Sequence, residues 1–244
     1  KLFTNSLQIH QLCDKINLYE KESVFMREKF LAKDYVNNDY KDIVFNRRSC
    51  RRFDPSQNIS RDEIVEMLDE ATITPSACNL QSWHFDVVDN EEARNKVKAV
   101  TMPFNYPQLE TAPVTIFILG DTHSHKVYRE VWTKVYEEGK ITKEKLDAIF
   151  NSFLPMYEKA DRDFLIKDAT LDSSMLAMQL LLVARAHGYE ANAWAGYNSK
   201  DLVATLNLDN ERFVPVMAIS IGKPGEEPLE SERYDVNSKI NFLA

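Results

Sequence analysis

The sequence predicts a single globular domain of the α+β class, and three observations carry that prediction. Helical and strand patterns follow one another irregularly rather than in a repeating strand, helix, strand unit. Hydrophobic residues fill 44% of the 244 positions, enough for a sizeable core. No internal repeat, low-complexity tract or Pro/Gly/Ser-rich linker divides the chain.

The elements follow in order. Leu7, Ile9, Leu12, Ile16, Leu18, Val24, Phe25 and Phe30 recur at roughly helical spacing among many charges. They predict a helical extension over residues 1–40, ahead of a main domain over residues 41–244. Ser60 and Glu63 have capping-box spacing, and Ile64, Val65, Met67, Leu68 and Ala71 then form one apolar helix face. That helix is expected to end near Thr74, because the residue before Pro75 avoids the α region.

Residues 84–88 and 114–119 are rich in β-branched and aromatic side chains and read as strands. The second is too continuously apolar to be half-exposed, so the sheet should be covered there. From about residue 168 to 187, Leu171, Met175, Leu176, Met178, Leu180, Leu182 and Val183 surround most of a helix, which Gly188 can close in the left-handed region. That helix is expected to be the buried spine. Residues 191–197 and 213–221 read as strands around a short helix capped by Ser199, and the polar, Pro-containing tail from Gly222 onward reads as extended.

Composition excludes several function classes. A formal net charge of -8 argues against a nucleic-acid protein, whose affinity comes largely from a cationic surface. The longest apolar stretch, residues 175–186, is broken by Gln179 and Arg185 and is too short to cross a bilayer. The opening residues have no signal-peptide layout. Cys13, Cys50 and Cys78 have no CxxC spacing, so neither a disulfide framework nor a zinc site is expected, and a reducing cytoplasm is the simplest compartment. His123 and His125 lack a clear third ligand, so no metal is expected there. None of the six glycines falls in a phosphate-cradling pattern, so cationic side chains must meet any phosphate.

Such cations stand together in Asn46-Arg47-Arg48-Ser49-Cys50-Arg51-Arg52-Phe53. Four arginines so close repel one another unless an anion or carboxylates sit among them. Arginine's fork suits a terminal phosphate, and Ser49 adds a donor. The alternative is a solvated basic turn paired to surface Asp and Glu. A second cluster, Pro75-Ser76-Ala77-Cys78-Asn79-Leu80-Gln81-Ser82-Trp83, is a loop of small and polar residues leading into a strand. Small side chains let a flat ring approach the backbone, and Asn79 offers both donor and acceptor. A plain helix-to-strand connection would look similar.

The pair RRSxRxF and, about two dozen residues later, PSxxNxQxW resembles the opening signature of the nitroreductase-like flavoproteins. The resemblance continues over roughly residues 40–235 through Asn105 to Pro113, Trp194-Ala195-Gly196-Tyr197, and Gly222-Lys223-Pro224 followed by Arg233. It implies a three-layer α/β/α sandwich with a mixed, mainly antiparallel central sheet, forming an obligate homodimer with one FMN at each of two interface sites. Arg47, Arg48, Ser49 and Arg233 match the positions that hold the phosphate and ribityl chain. Arg51 matches the cation near flavin N1 and the C2 carbonyl, where it stabilises the negative charge of the reduced ring. Asn105 and Gln108 match the pair at the pyrimidine edge, with Gln108 standing where relatives often carry Lys.

The resemblance also places Pro75, Ser76, Ala77 and Asn79 on a loop contributed by the partner chain. Ala195 and Gly196 match the backbone facing flavin N5 and O4, and Ser82 replaces the family's usual proline. Trp194 could pack behind the flavin or simply in the core. Tyr128, Trp132, Tyr136, Phe150, Phe153 and Tyr157 fall in a helical insertion that roofs the active site in relatives, though ordinary helix packing also accounts for them. The implied activity is ping-pong transfer of electrons from NADH or NADPH to nitroaromatics, quinones or similar small acceptors, with no catalytic side chain. Flavin or enone reduction, reductive dehalogenation and non-catalytic flavin storage share the same frame.

Overall fold

The computed structural model of the chain describes residues 34–243. The expected helix over residues 7–33, and so most of the 1–40 extension, lies outside the described residues.

Four strands form one sheet in the order β1 (Trp83–Val88), β2 (Val114–Asp121), β4 (Phe213–Gly222), β3 (Glu190–Trp194), each adjacent pair antiparallel. A single parallel bridge, Ser49 to Ala191, lies along the outer edge of β3. Alternation along β2 turns Ile116 and Ile118 to one face and Phe117 and Leu119 to the other. The whole of β2 is buried, as its continuous apolarity predicts, because helices cover both faces.

On the first face, α2 (Arg61–Ala71) and the spine helix α8 (Arg162–Ala186) pack Ile64, Met67, Leu176 and Leu180 against the sheet. On the second, α3 (Glu91–Lys98), α4 (Tyr106–Thr111) and α9 (Ser199–Thr205) pack Val97, Leu109, Leu202 and Val203 around Phe117 and Trp194. The layering is therefore helix, sheet, helix. Helices α5 (Ser124–Glu137), α6 (Lys143–Ser152) and α7 (Leu154–Lys159) intervene between β2 and the spine, and α1 (Tyr40–Phe45) precedes the arginine segment.

Local chemistry explains the boundaries. Ser60 caps α2 by accepting the Glu63 N–H at 3.2 Å, but the Glu63 carboxylate accepts from the Tyr189 hydroxyl instead of closing the box. That helix ends at Ala71 rather than near Thr74, and Thr72 to Thr74 finish it as a hydrogen-bonded turn. The spine begins at its Asp161 cap, about two turns earlier than its apolar pattern indicates. It closes as predicted at Gly188 (φ 81°), with the Tyr189 N–H donated to the Ala184 carbonyl. Asn198, not Ser199, caps α9, and β3 stops at Trp194, leaving Ala195 to Tyr197 beyond the strand. Helices α1, α3 and α4 span only six to eight residues, too few for a hydrophobic period to register.

Candidate cofactor site

The arginine segment is fixed by its backbone and two buried side chains. The Cys50 N–H donates to the Ala191 carbonyl at 3.3 Å and the Phe53 N–H to the Thr111 hydroxyl at 3.0 Å. Arg52 and Asp54 exchange backbone hydrogen bonds with Gly225 and Lys223. Cys50 and Phe53 are buried, so Arg47, Arg48 and Arg51 are held at the surface of the β3 edge. Arg48 donates to the Phe45 carbonyl at 2.7 Å and Arg51 to the Ser49 carbonyl. Among the described residues none of these three forms an ion pair, and only Arg52 pairs with a carboxylate, Glu226 at 3.8 Å. Within the described residues a surface acid therefore pairs with one of the four arginines, while Arg47 lies close enough to Glu190 to lower the pKa of its carboxyl.

An ion network lies beneath this segment. Arg185 at the end of the spine donates two bonds to the Asp42 carboxylate, at 2.9 and 3.0 Å, and pairs with Glu190. Hydrogen bonds from Asn46, Arg185 and Asn37 lower the Asp42 pKa to about 2. Burial pushes the Glu190 carboxyl upward despite the same arginine, and its Oε2 is buried without a partner.

Further along β3 the site is neutral. A Cβ on Gly196 would collide with Asn105 Oδ1 and meet the Phe104 ring at 2.7 Å, so only glycine admits this approach. The Gly196 carbonyl accepts the Met102 N–H at 2.7 Å, tying the two segments together. Asn105 and Gln108 are buried, yet among the described residues Asn105 Oδ1 and Gln108 Oε1 have no hydrogen-bond partner. An unpaired buried amide oxygen costs about 1–3 kcal/mol unless a ligand satisfies it. Arg94 braces this segment by donating to the Leu109 and Ala112 carbonyls at 2.9 and 3.0 Å.

The structure therefore brings Arg47, Arg48, Ser49, Arg51, Asn105, Gln108, Ala195 and Gly196 to one edge of the sheet. Ser49 stands beside Ala191 and Asn105 beside Gly196, roughly 17 Å apart along extended chain. Cations occupy one end and amides the other.

The Pro75 to Asn79 loop is elsewhere. It leads into β1, three strand positions from β3 and so about 14 Å across the sheet, at the end where β4 begins. Within the protomer the loop and the arginines therefore lie at different corners of the sheet. Cys78, Asn79 and Gln81 all have positive φ (51°, 56° and 52°), a conformation costing roughly 1–2 kcal/mol for each non-glycine residue. Asp172 on the spine holds the strained loop, accepting the Ala77 N–H at 2.8 Å and the Ser82 N–H at 3.4 Å. Burial raises the Asp172 pKa, which these hydrogen bonds offset in part. Sequence reasoning missed this residue, whose one signal is a lone acid among the inward positions of an apolar helix.

Arg233 is exposed on the tail and bonds only to the neighbouring Glu232 carbonyl among the described residues, so it is not joined to the arginine segment within the protomer. Trp194 is a core residue: its indole N–H donates to Ser220 at 3.0 Å, and its ring meets Phe117 and Tyr197 edge-on. Tyr128, Trp132, Phe153, Tyr157 and Phe164 form a continuous aromatic chain across α5, α7 and the spine. The Tyr157 hydroxyl donates to Asp168 at 2.9 Å, and burial, then Asp168, push its pKa up. Tyr136 and Phe150 sit apart, the latter under the Arg129 guanidinium. His125 is buried against Tyr157 with its pKa lowered by desolvation. No group of three potential metal ligands, and no helix long and apolar enough to cross a membrane, occurs among the described residues.

Known proteins share this outline. The model of the nitroreductase family matches residues 44–223. A "CLA biosynthesis enone reductase" of Lactiplantibacillus plantarum is 58% identical over 87% of this chain and 98% of its own. A Bacillus subtilis protein named "Putative NAD(P)H nitroreductase YdgI" is 36% identical over 82% of this chain and 96% of its own. Among solved structures, one described as a nitroreductase "in complex with FMN", from Exiguobacterium sibiricum, superposes with a TM-score of 0.80 at 33% identity, covering 86% of this chain and all of that one.

Proposed function

The chain belongs to the nitroreductase family, and from that membership we propose that it is an FMN-dependent oxidoreductase drawing electrons from NADH or NADPH. The observation that carries this reading is the polarity of the β3 edge. Arginines that form no ion pair among the described residues stand at one end, and buried unpartnered amide oxygens at the other. A mononucleotide flavin has the complementary layout, with a dianionic phosphate and a polar, uncharged pyrimidine edge.

On this reading Arg47, Arg48 and Ser49 hold the phosphate, and Asn105 and Gln108 satisfy the pyrimidine edge. Arg51 favours the reduced ring by offsetting its negative charge. Gln108 is neutral where a lysine would add a second cation, which leaves Arg51 as the main side-chain lever on the potential. Ala195 and Gly196 present main chain, so their small side chains keep the approach open. FMN, when bound there, would supply the hydride chemistry between nicotinamide and acceptor. The residues position both and exclude water.

The site is completed by a second copy of the chain. Pro75, Ser76, Ala77 and Asn79 stand at the wrong corner to serve their own protomer and come from the partner, and Arg233 reaches the phosphate on the exposed tail. The spine helix supports this assembly, because Leu171, Met175 and Met178 lie on one of its faces and are 55%, 41% and 47% exposed. Large apolar side chains left in a row this way mark an interaction surface.

The acceptor is a small electron-poor molecule. Likeness to an enone reductase at 58% identity supports α,β-unsaturated carbonyls as acceptors beside the nitroaromatics and quinones that the family resemblance implies. Anaerobic mixing with NADPH and with NADH, followed by addition of an enone, a quinone and a nitroaromatic in parallel, tests this. The yellow band should bleach with a nicotinamide and return with the enone. Bleaching by neither nicotinamide would instead favour flavin storage.

A further inference from the structure

The spine helix carries two acids one turn apart, Asp168 and Asp172, and each reaches an element outside the spine. Asp172 is 1% exposed, and its two oxygens accept N–H groups from both ends of the strained loop, Ala77 and Ser82. Asp168 accepts the hydroxyl of Tyr157, which joins Phe153 to Phe164 in the aromatic chain. The two halves approach each other at Cys78, whose thiol lies near the Tyr157 hydroxyl. Neighbouring bonds brace the loop without replacing the carboxylate: Ser173 donates to the Ser82 carbonyl at 3.1 Å, Ser82 to Ser124 at 2.8 Å, and the Gln81 N–H to Ser76 at 3.0 Å.

We propose that Asp172 and Asp168 are a positioning pair, Asp172 holding the Ser76 to Gln81 loop in its flavin-facing shape and Asp168 holding the Tyr157 ring that borders the acceptor. This rests on the proposed role of the loop at the partner's flavin. The chemistry requires a carboxylate at position 172, because two N–H donors converge there and an amide offers one acceptor and one donor. With one end released, the remaining bonds alone must hold three left-handed residues against relaxation. At position 168 the acceptor fixes the tyrosine hydroxyl, and through ring contacts with Phe153 and Phe164 the neighbouring aromatics. Neither acid touches the reacting atoms.

Asp172→Asn, Asp168→Asn and, as a comparator, Glu70→Gln test the pair. Glu70 is an equally buried acid that meets His187 at the far end of the spine. Each variant is measured for melting temperature, FMN affinity, and KM and kcat for an enone. Asp172→Asn should weaken FMN binding at least tenfold and shift the visible flavin band, whereas Glu70→Gln, at a similar loss of melting temperature, should do neither. Asp168→Asn should raise the acceptor KM at least fivefold with FMN affinity within twofold of wild type, and Tyr157→Phe should match it. If both acids lower only the melting temperature, the proposal is overturned. Should Asp172→Asn not fold, the Asp168→Asn and Tyr157→Phe pair decides: matching rises in KM support the proposal and unchanged values overturn it. Wild-type protein that binds no FMN removes both the proposal and the functional reading, whereas weakened FMN binding in Arg47→Ala with unaltered aspartate variants removes the proposal alone.

Discussion

Gly196 shows how much one missing atom can decide. Its absent Cβ is the space into which the Asn105 amide fits, so Gly196→Ala should displace Asn105. The expected result is a folded protein whose FMN affinity has dropped by tenfold or more, read by quenching of flavin fluorescence; unchanged affinity would show that Asn105 contributes nothing to binding. Arg47 gives the complementary test at the charged end. Arg47→Ala should cost about 1.5–3 kcal/mol of FMN binding, the range for a charged hydrogen bond. Arg233→Ala should cost as much only if the tail crosses to the partner, since among the described residues of its own protomer that side chain bonds to nothing but the Glu232 carbonyl.

Among elements, the tie between α1 and the end of the spine has a defined acid signature. Asp42 has a folded-state pKa of about 2 against an ordinary 3.8, so its stabilising contribution is complete above about pH 4 and is lost as the pH falls toward 2. Asp42→Asn should flatten that part of the curve of melting temperature against pH. Glu190 is shifted the other way and favours the fold as the pH falls through its own window, so wild type and variant must be compared at each pH. Arg185→Leu should destabilise the protein by about 3 kcal/mol, because it strands two partly buried carboxylates. Denaturant unfolding near neutral pH checks this, and a loss below about 1 kcal/mol would mean that water already screens the pair.

These elements also show what a sequence makes legible. The spine, the buried strand β2 and the Gly188 cap could be read because each rests on a local period or a local backbone demand. The arginine segment could be read because four like charges within six residues require an explanation in themselves. Asp172 could not: nothing local separates it from Asp163 and Asp168 on the same helix, and its partners lie about 90 residues away. The short helices were equally hidden, and the 162–167 turns of the spine are too exposed to show an apolar pattern.

For the whole molecule the decisive fact is the strand order β1-β2-β4-β3, which no periodicity encodes. It sends the two signature motifs, adjacent in sequence, to opposite edges of the sheet. On the proposed reading the two clusters share a ligand across a seam between two chains. Met175→Glu, which puts a charge on the exposed spine face, should therefore produce monomers and lose FMN together, although Met175 lies outside the proposed cofactor contacts. A monomeric variant that keeps its flavin would show that the seam is not needed.

Sedimentation velocity of the FMN-loaded protein, followed at once by protein absorbance and by the visible flavin band, addresses this claim most directly. A dimeric site should give one boundary at the mass of two chains, carrying flavin and chain in equal numbers. Flavin sedimenting with single chains, or a dimer that carries none, would contradict it.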